Sequence, residues 1–348
     1  MISLADAELD QLAVHFIGNP THDETLVLTS EPVYVEEEIV SPLLKKYFLN
    51  SIKTDELHQF HHDSELTLNA VYVFAKQIFD NPDQLFEVSK KLAHHLFEAS
   101  SHPMIHSGEL YVAYFTGVDI DGVDREVLGL FKSENKETFL KIYPQGNSYG
   151  IDPQDGININ KLDKGCLIFN MDEENGYRVA VVDNLNKKEG AQYWKDQFLK
   201  ITPRSDSYQH TKQYMQLANN FIRQRLKDEY EMTKVDEIDL SNRSMEFFKN
   251  RESFDFNEFA SEVMQQPEVV SSFRVFKDEF QQQQGVSIAD EFEISPQAVK
   301  KQSRIYKSVL KLDKNFHIYI HGNREYIESG FDEERKLNYY KVFFKEES

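Results

Sequence analysis

The chain has 348 residues and a single cysteine, Cys166, set inside the apolar run Cys-Leu-Ile-Phe. One cysteine excludes an internal disulfide, and its apolar neighbours predict a small core residue rather than a reactive thiol. Glycine is sparse, at 14 residues, and there is no Gly-x-Ser-x-Gly elbow, Walker A loop or dinucleotide fingerprint. The local spacings that acyl, phosphoryl and hydride transfer leave in a sequence are therefore missing. No stretch approaches the roughly 20 apolar residues that a membrane-crossing helix needs. The longest apolar runs, such as Val179 to Val182, have the length of strands. The first ten residues carry carboxylates where a secretion signal places basic and then apolar residues, so export is not expected and the cytoplasm fits best. Positive charge is also scarce: 39 Lys+Arg stand against 59 Asp+Glu, a formal net charge of -20. Because a polyanion is bound through clustered cations, that sum on its own argues against a nucleic-acid partner.

What the chain does contain is enough apolar material for a folded protein. Hydrophobic residues make up 40%, with 26 Phe and 17 Tyr, which argues against disorder and allows two domains of ordinary size. Pro82 opens a helical pattern with Leu85, Val88, Leu92 and Leu96 on one face. Glu109 to Phe115 and Arg125 to Lys132 read as a hairpin joined by a turn containing Asp119, Asp121 and Gly122. Further strands are expected at Thr138 to Tyr143, Gly156 to Ile159, Gly165 to Phe169 and Tyr177 to Val182. A long helix is expected from Ser205 to Tyr230, with Tyr214, Leu217, Ala218, Phe221 and Ile222 buried. The polar stretch Met232 to Ser241 suggests a boundary, giving domains at 1–232 and 233–348. The second part reads as helices followed by strands, with Gly322-Asn323 as a hairpin turn. The fold class is thus α+β: an antiparallel sheet with packed helices, followed by a smaller helical region ending in a short antiparallel sheet.

Candidate catalytic constellations are weak. His58, His61 and His62 with Asp63, the His94-His95 pair, and His102 with His106 match no metal-ligand spacing, so neither a metal nor a cofactor is expected. Asp119, Asp121 and Asp124 are explained by a turn rather than a calcium loop. A nuclease-like set of Asp124, Glu126 and Lys132 is the least favoured reading, and no catalytic residue is assigned. The strongest positive feature lies in the distribution of charge. Residues 1 to 100 hold 17 Asp+Glu against 6 Lys+Arg, a net of -11, whereas Ser295 to Phe316 hold six basic residues and one acid, a net of +5. Within that segment Lys300, Lys301, Arg304, Lys307, Lys311 and Lys314 form the candidate DNA-binding set, suited to phosphate contacts. Lys212, Arg223 and Lys227 form a second, weaker candidate surface.

Three stretches carry a family resemblance. They are Gly156-Ile-Asn-Ile-Asn-Lys-Leu-Asp-Lys-Gly-Cys-Leu-Ile-Phe169, then Tyr193-Trp-Lys-Asp-Gln-Phe-Leu199, and a C-terminal run Leu312-Asp-Lys-Asn-Phe-His-Ile-Tyr-Ile-His-Gly-Asn-Arg324 ending in Tyr339-Tyr-Lys-Val-Phe-Phe344. In composition and order these resemble the bacterial nucleoid-associated proteins of the NdpA or YejK kind. The resemblance implies a protein of the nucleoid, with DNA or a DNA-processing protein as partner and no established catalytic residue. Its motifs are apolar and turn residues, so it names no site. The expected function is a non-catalytic nucleoid-associated protein. An acidic adaptor that reaches the nucleoid through a protein partner is the alternative, and a homodimer is left open.

Overall fold

The six residues Leu110 to Phe115 are buried without interruption, as in a strand covered on both faces. In the computed structural model that strand lies inside an eight-stranded antiparallel sheet. The structure describes all residues except 1, 36–37, 186–192, 231, 285–287, 307–308, 321–325 and 347–348. Met1–Arg204 and Ser205–Ser348 form two compact units.

In the first unit the strands are β1 (Ile2–Ser3), β2 (Glu8–Ile17), β3 (Leu57–Phe60), β4 (Gly108–Ile120), β5 (Val123–Ser133), β6 (Glu137–Gln145), β7 (Ser148–Gly156), β8 (Lys164–Phe169), β9 (Arg178–Asp183) and β10 (Ile201–Pro203). The large sheet runs β1-β4-β5-β8-β9-β3-β10, with β2 also paired to β4; β6 and β7 form a separate ribbon. Helices α1 (Val40–Leu49), α2 (Ala70–Asp80) and α3 (Leu85–Ala99) pack on it. Alternation decides which face each residue serves. Leu110, Val112 and Tyr114 meet Leu128, Leu130, Cys166, Ile168 and Val179 beneath α2, α3 and the Tyr193–Leu199 turn. Tyr111, Ala113 and Phe115 meet Val127, Phe131, Leu167 and Phe169 on the other face, closed by Tyr47 and Phe48 of α1. The β4–β5 turn uses positive φ at Asp121 (55°) and Gly122 (83°), the type I′ geometry that matches strand twist. Phe48 and Phe131 stack at 4.2 Å. The Phe131 ring lies over Gly129 and Gly165, where an added Cβ would come within 2.5 and 2.7 Å of it.

In the second unit α4 (Ser207–Asn220) runs through a wide turn at Phe221–Arg225 into α5 (Leu226–Glu229). Then come α6 (Lys234–Asn250), α7 (Phe256–Phe259), α8 (Pro267–Gln284) and α9 (Pro296–Gln302). Their core is strongly aromatic: Tyr214, Phe254 and Phe292 lie ring against ring, with Phe254 and Phe292 stacked at 4.7 Å. Short antiparallel pairs join β11 (Ser253–Asp255) to β12 (Glu291–Glu293), β13 (Val309–Leu312) to β14 (Phe316–Tyr319), and β15 (Ile327–Asp332) to β16 (Leu337–Val342).

The α+β class and the antiparallel sheet agree with the sequence reading, and three details differ. The compact units divide between Arg204 and Ser205 rather than at 232/233, because α4 buries Tyr214, Leu217, Ala218, Phe221 and Ile222 in the second core. The polar stretch after Met232 is the first half of α6. A Thr233–Asp236 capping box starts it, and Val235, Ile238, Leu240 and Ser241 turn inward; charge on its outer side had concealed the helical period. The expected strand at Gly156 to Ile159 is instead the end of β7, followed by a loop. The expected Gly322-Asn323 turn lies outside the described residues.

One buried polar group gives the first unit a pH dependence. His15 on β2 is 1% exposed. Its Nδ1 accepts from the Thr29 backbone N–H at 3.2 Å, and its Nε2 lies 2.8 Å from Ser89 Oγ, which donates to the Phe86 carbonyl at 2.7 Å. This pattern requires the neutral Nε2–H tautomer. Burial, helped by nearby Lys90, lowers the His15 pKa to about 4. Between that value and the unfolded value near 6.5 the unfolded chain binds the extra proton, so unfolding free energy falls as pH falls through this window. Acidification from pH 7 to pH 5 is expected to lose about 2 kcal/mol through this group. Urea titrations of the wild type and His15→Gln check it, and an undiminished pH slope in the variant would assign the dependence elsewhere.

Candidate nucleic-acid interface

Helix α9 is set by its ends and by one apolar stripe. Ser295 caps it, accepting from the Ala298 N–H at 3.4 Å, and Pro296 occupies the first turn, where a missing N–H costs nothing. Ala298, Val299 and Gln302 are buried, and the helix packs on α4. That orientation leaves Lys300 and Lys301 exposed on α9, and Arg304 exposed in the tighter Ser303–Ile305 turn that follows it. Lys301 Nζ lies 5.6 Å from the Tyr208 ring centroid, a cation–π distance. The segment beyond is pinned rather than loose. Tyr306 Oη donates to the Met215 carbonyl at 2.6 Å, and Arg223 Nη2 donates to the Ile305 carbonyl at 2.9 Å.

Lys311 and Lys314 follow on the β13–β14 ribbon. Leu310 and Ile318 are cross-strand partners and pack with Val235 and Ile238 of α6. The period of two then turns Lys311, its partner His317 and the neighbouring Tyr319 to solvent. Lys314 lies exposed in the connecting turn. Lys307 lies outside the described residues. Lys311 is seven positions after Arg304, which limits their distance to about 25 Å, less than one turn of duplex DNA. Among the described residues Lys300, Arg304, Lys311 and Lys314 form no ion pair with a carboxylate. Several other cations of this unit are engaged: Lys227 and Lys234 both bind Glu237, and Arg251 binds Glu258 and Glu262. The second candidate surface therefore dissolves, since Arg223 supports the Ser303–Ile305 turn and Lys227 neutralises the nearly buried Glu237.

The remaining constellations do not assemble. Lys132 and Glu126 are six residues apart along β5, a separation of about 20 Å. Lys132 is fully buried while Asp124 and Glu126 are exposed. His95 contacts the Phe198 carbonyl and His102 accepts from the Met104 N–H, both local roles. Among the described residues no group of three or more His, Cys, Asp or Glu could hold a metal ion. Cys166 is buried, and burial pushes its thiol well above the ordinary range, so it is not a poised nucleophile.

Sequence reasoning missed one charged network. Lys132 Nζ donates to the His106 carbonyl at 2.8 Å and to Tyr193 Oη at 3.1 Å, and lies 3.2 Å from Glu134 Oε1. Tyr193 Oη donates to the same Glu134 oxygen at 2.5 Å. Lys164 Nζ binds Asp183 at 2.8 Å, and both ammonium groups lie near the Tyr193 ring, at 5.3 and 5.1 Å. Burial lowers the Lys132 pKa, opposed by Glu134, and raises that of Tyr193 well above its usual value. A lysine read alone gives no sign of burial. The usable signal was that Lys132 falls in the inward-facing phase of an apolar strand.

These features define an α+β protein whose most accessible chemical feature is a set of cations on a short helix and an adjoining ribbon. The chain belongs to the family of nucleoid-associated protein YejK, whose pattern matches residues 14–336. No curated protein matches the chain. No helix among the described residues is long and apolar enough to cross a membrane.

Proposed function

We propose that this nucleoid-associated protein binds duplex DNA directly and without catalysis, through phosphate contacts from Lys300, Lys301, Arg304, Lys311 and Lys314, with Lys307 in the same segment. The observation that carries the reading is the exposure of five cations within fifteen residues of a chain with net charge -20, four of them without a carboxylate partner among the described residues. In an acidic protein, surface cations that are not neutralised by nearby carboxylates retain their attraction for phosphate. Backbone contacts of this kind position a protein on DNA and carry little sequence information. Each phosphate neutralised contributes about 0.9 to the slope of log affinity against log salt, so five contacts give a slope of roughly -4 to -5. Anisotropy of a labelled duplex across a salt series measures it, and a slope near zero would remove the phosphate reading. The same titration with Mg²⁺ present reports cleavage, the outcome that a metal-dependent nuclease requires.

The adaptor reading rests on the net charge of -11 in the first hundred residues, which suits a basic protein surface. Retention of a partner after nuclease treatment favours the adaptor, and loss of every partner favours DNA as the bridge.

A further inference from the structure

The β6–β7 ribbon has two faces of different character. Its turn is Gly146-Asn147, with φ of 58° at Gly146, and the register pairs Leu140 with Pro153, Ile142 with Ile151 and Pro144 with Tyr149. Cross-strand partners share a face, so these six residues form one continuous apolar surface. Leu140, Ile142, Tyr149 and Ile151 are 66%, 64%, 70% and 59% exposed. The opposite face is more polar, carrying Gln154, Asp152 and Lys141, and its Phe139 side chain is 49% exposed. The Phe139 ring covers Gly156, the Tyr143 ring covers Gly150, and Lys141 is paired across the strands with Asp152. The root of the ribbon is fixed, because Glu137 accepts from Lys161 Nζ at 2.6 Å and from Asn158 Nδ2 at 2.9 Å. A two-stranded ribbon is marginally stable by itself, and an apolar patch of this extent is at the upper end of what a monomer exposes.

We infer that the Leu140, Ile142, Tyr149 and Ile151 face of this ribbon is the dimerisation surface of the protein, packed against the same face of a second copy. Three observations select a second copy. The face carries no charge between Leu140 and Pro153, so two molecules of net charge -20 can meet there without bringing like charges into contact. The patch is self-complementary. A two-fold axis through the Ile142 and Ile151 pair sets isoleucine on isoleucine, and sets Leu140 and Pro153 of one copy over Pro144 and Tyr149 of the other, an isologous contact. The area is also sufficient. Six such side chains offer on the order of 600 Å² per copy, so two copies together reach roughly the 1,000–1,200 Å² at the lower end of specific interfaces. Face packing is favoured over strand addition because each ribbon edge carries a proline, Pro144 on β6 and Pro153 on β7, and proline removes an edge donor. Nucleic acid is disfavoured because Lys141 is the one cation on the two strands, against Glu137, Asp152 and Asp155.

Sedimentation velocity of the full chain from about 1 to 100 µM covers the range in which an interface of this size associates. The wild type is expected to sediment as a dimer, and the Ile142→Glu/Ile151→Glu variant as a monomer with unchanged circular dichroism. Oxidation of Ile142→Cys or Ile151→Cys is expected to yield a covalent dimer, while Gln154→Cys on the opposite face does not; the buried Cys166 stays silent in both. A wild type that is monomeric throughout, a dimer that survives the double substitution, or equal cross-linking from Gln154→Cys would each overturn the assignment. So would a monomeric wild type whose duplex affinity drops in the glutamate variant, which would give the face to nucleic acid.

Discussion

Reversing three charges, Lys300→Glu, Lys301→Glu and Arg304→Glu, is expected to lower duplex affinity at least about 100-fold near 0.1 M salt and to reduce the salt slope by roughly 3. The slope follows from counting: each cation removed from a phosphate leaves one counterion unreleased, about 0.9 per contact. The larger loss in affinity follows because each new carboxylate also repels the phosphate that its predecessor attracted. The three side chains are exposed on α9 and the turn after it, whose helix packs through Ala298, Val299 and Gln302, so the fold tolerates the change. The matched control is Lys46→Glu, Lys53→Glu and Lys91→Glu. These are three exposed lysines of the first unit that alter net charge by the same amount. Equal losses in both triple variants would show that affinity tracks overall charge and would sink the site. Loss confined to the α9 variant, with Lys311→Ala removing close to one further unit of slope, would tie binding to this surface.

The sequence made the sheet legible where side-chain period and burial agree, and obscured it where they do not. The β4–β5 hairpin could be read because an aspartate and glycine turn joins two apolar strands, and α3 because Leu85, Val88, Leu92 and Leu96 keep the helical period. Strand β3 went unread because His58 and Gln59 dilute four residues whose place is fixed by distant partners, Ala180 and Val179 on one side and Ile201 to Pro203 on the other. Strand β7 went unread because Asp152 and Pro153 argue against a strand, although an edge tolerates both. The first half of α6 reads as a boundary because its charged side dominates the composition of Met232 to Ser241. The cationic segment was legible from charge alone. Its division into an exposed helix face and an exposed ribbon face depends on which residues the second core claims, and short-range pattern does not fix that. The engagement of Arg223 and Lys227 was hidden for the same reason, since Ile305 is 82 residues from Arg223 along the chain.

Glu134→Ala is expected to destabilise the first unit by about 3–5 kcal/mol, because it leaves the fully buried Lys132 ammonium without its counter-charge. The partners that remain, the His106 carbonyl and Tyr193 Oη, hydrogen-bond the ammonium without neutralising it. Trp194 is the single tryptophan and is buried in this unit's core, so its fluorescence reports unfolding there. Removing both charges, as in Lys132→Met/Glu134→Leu, is expected to cost at least about 2 kcal/mol less than the sum of the single changes, since no uncompensated ion is left behind. Additive costs would mean that the pair acts only through packing. The pH dependence gives a separate check. Burial already holds the Lys132 pKa below that of an unfolded lysine, with Glu134 opposing the shift, and loss of Glu134 lowers it further. The unfolded variant then binds more protons than the folded one over a wider alkaline range, so its unfolding free energy rises with pH. The gap between Glu134→Ala and the wild type is therefore expected to narrow from pH 7 to pH 9. A gap that holds constant would place the cost in lost hydrogen bonds and packing rather than in a stranded charge.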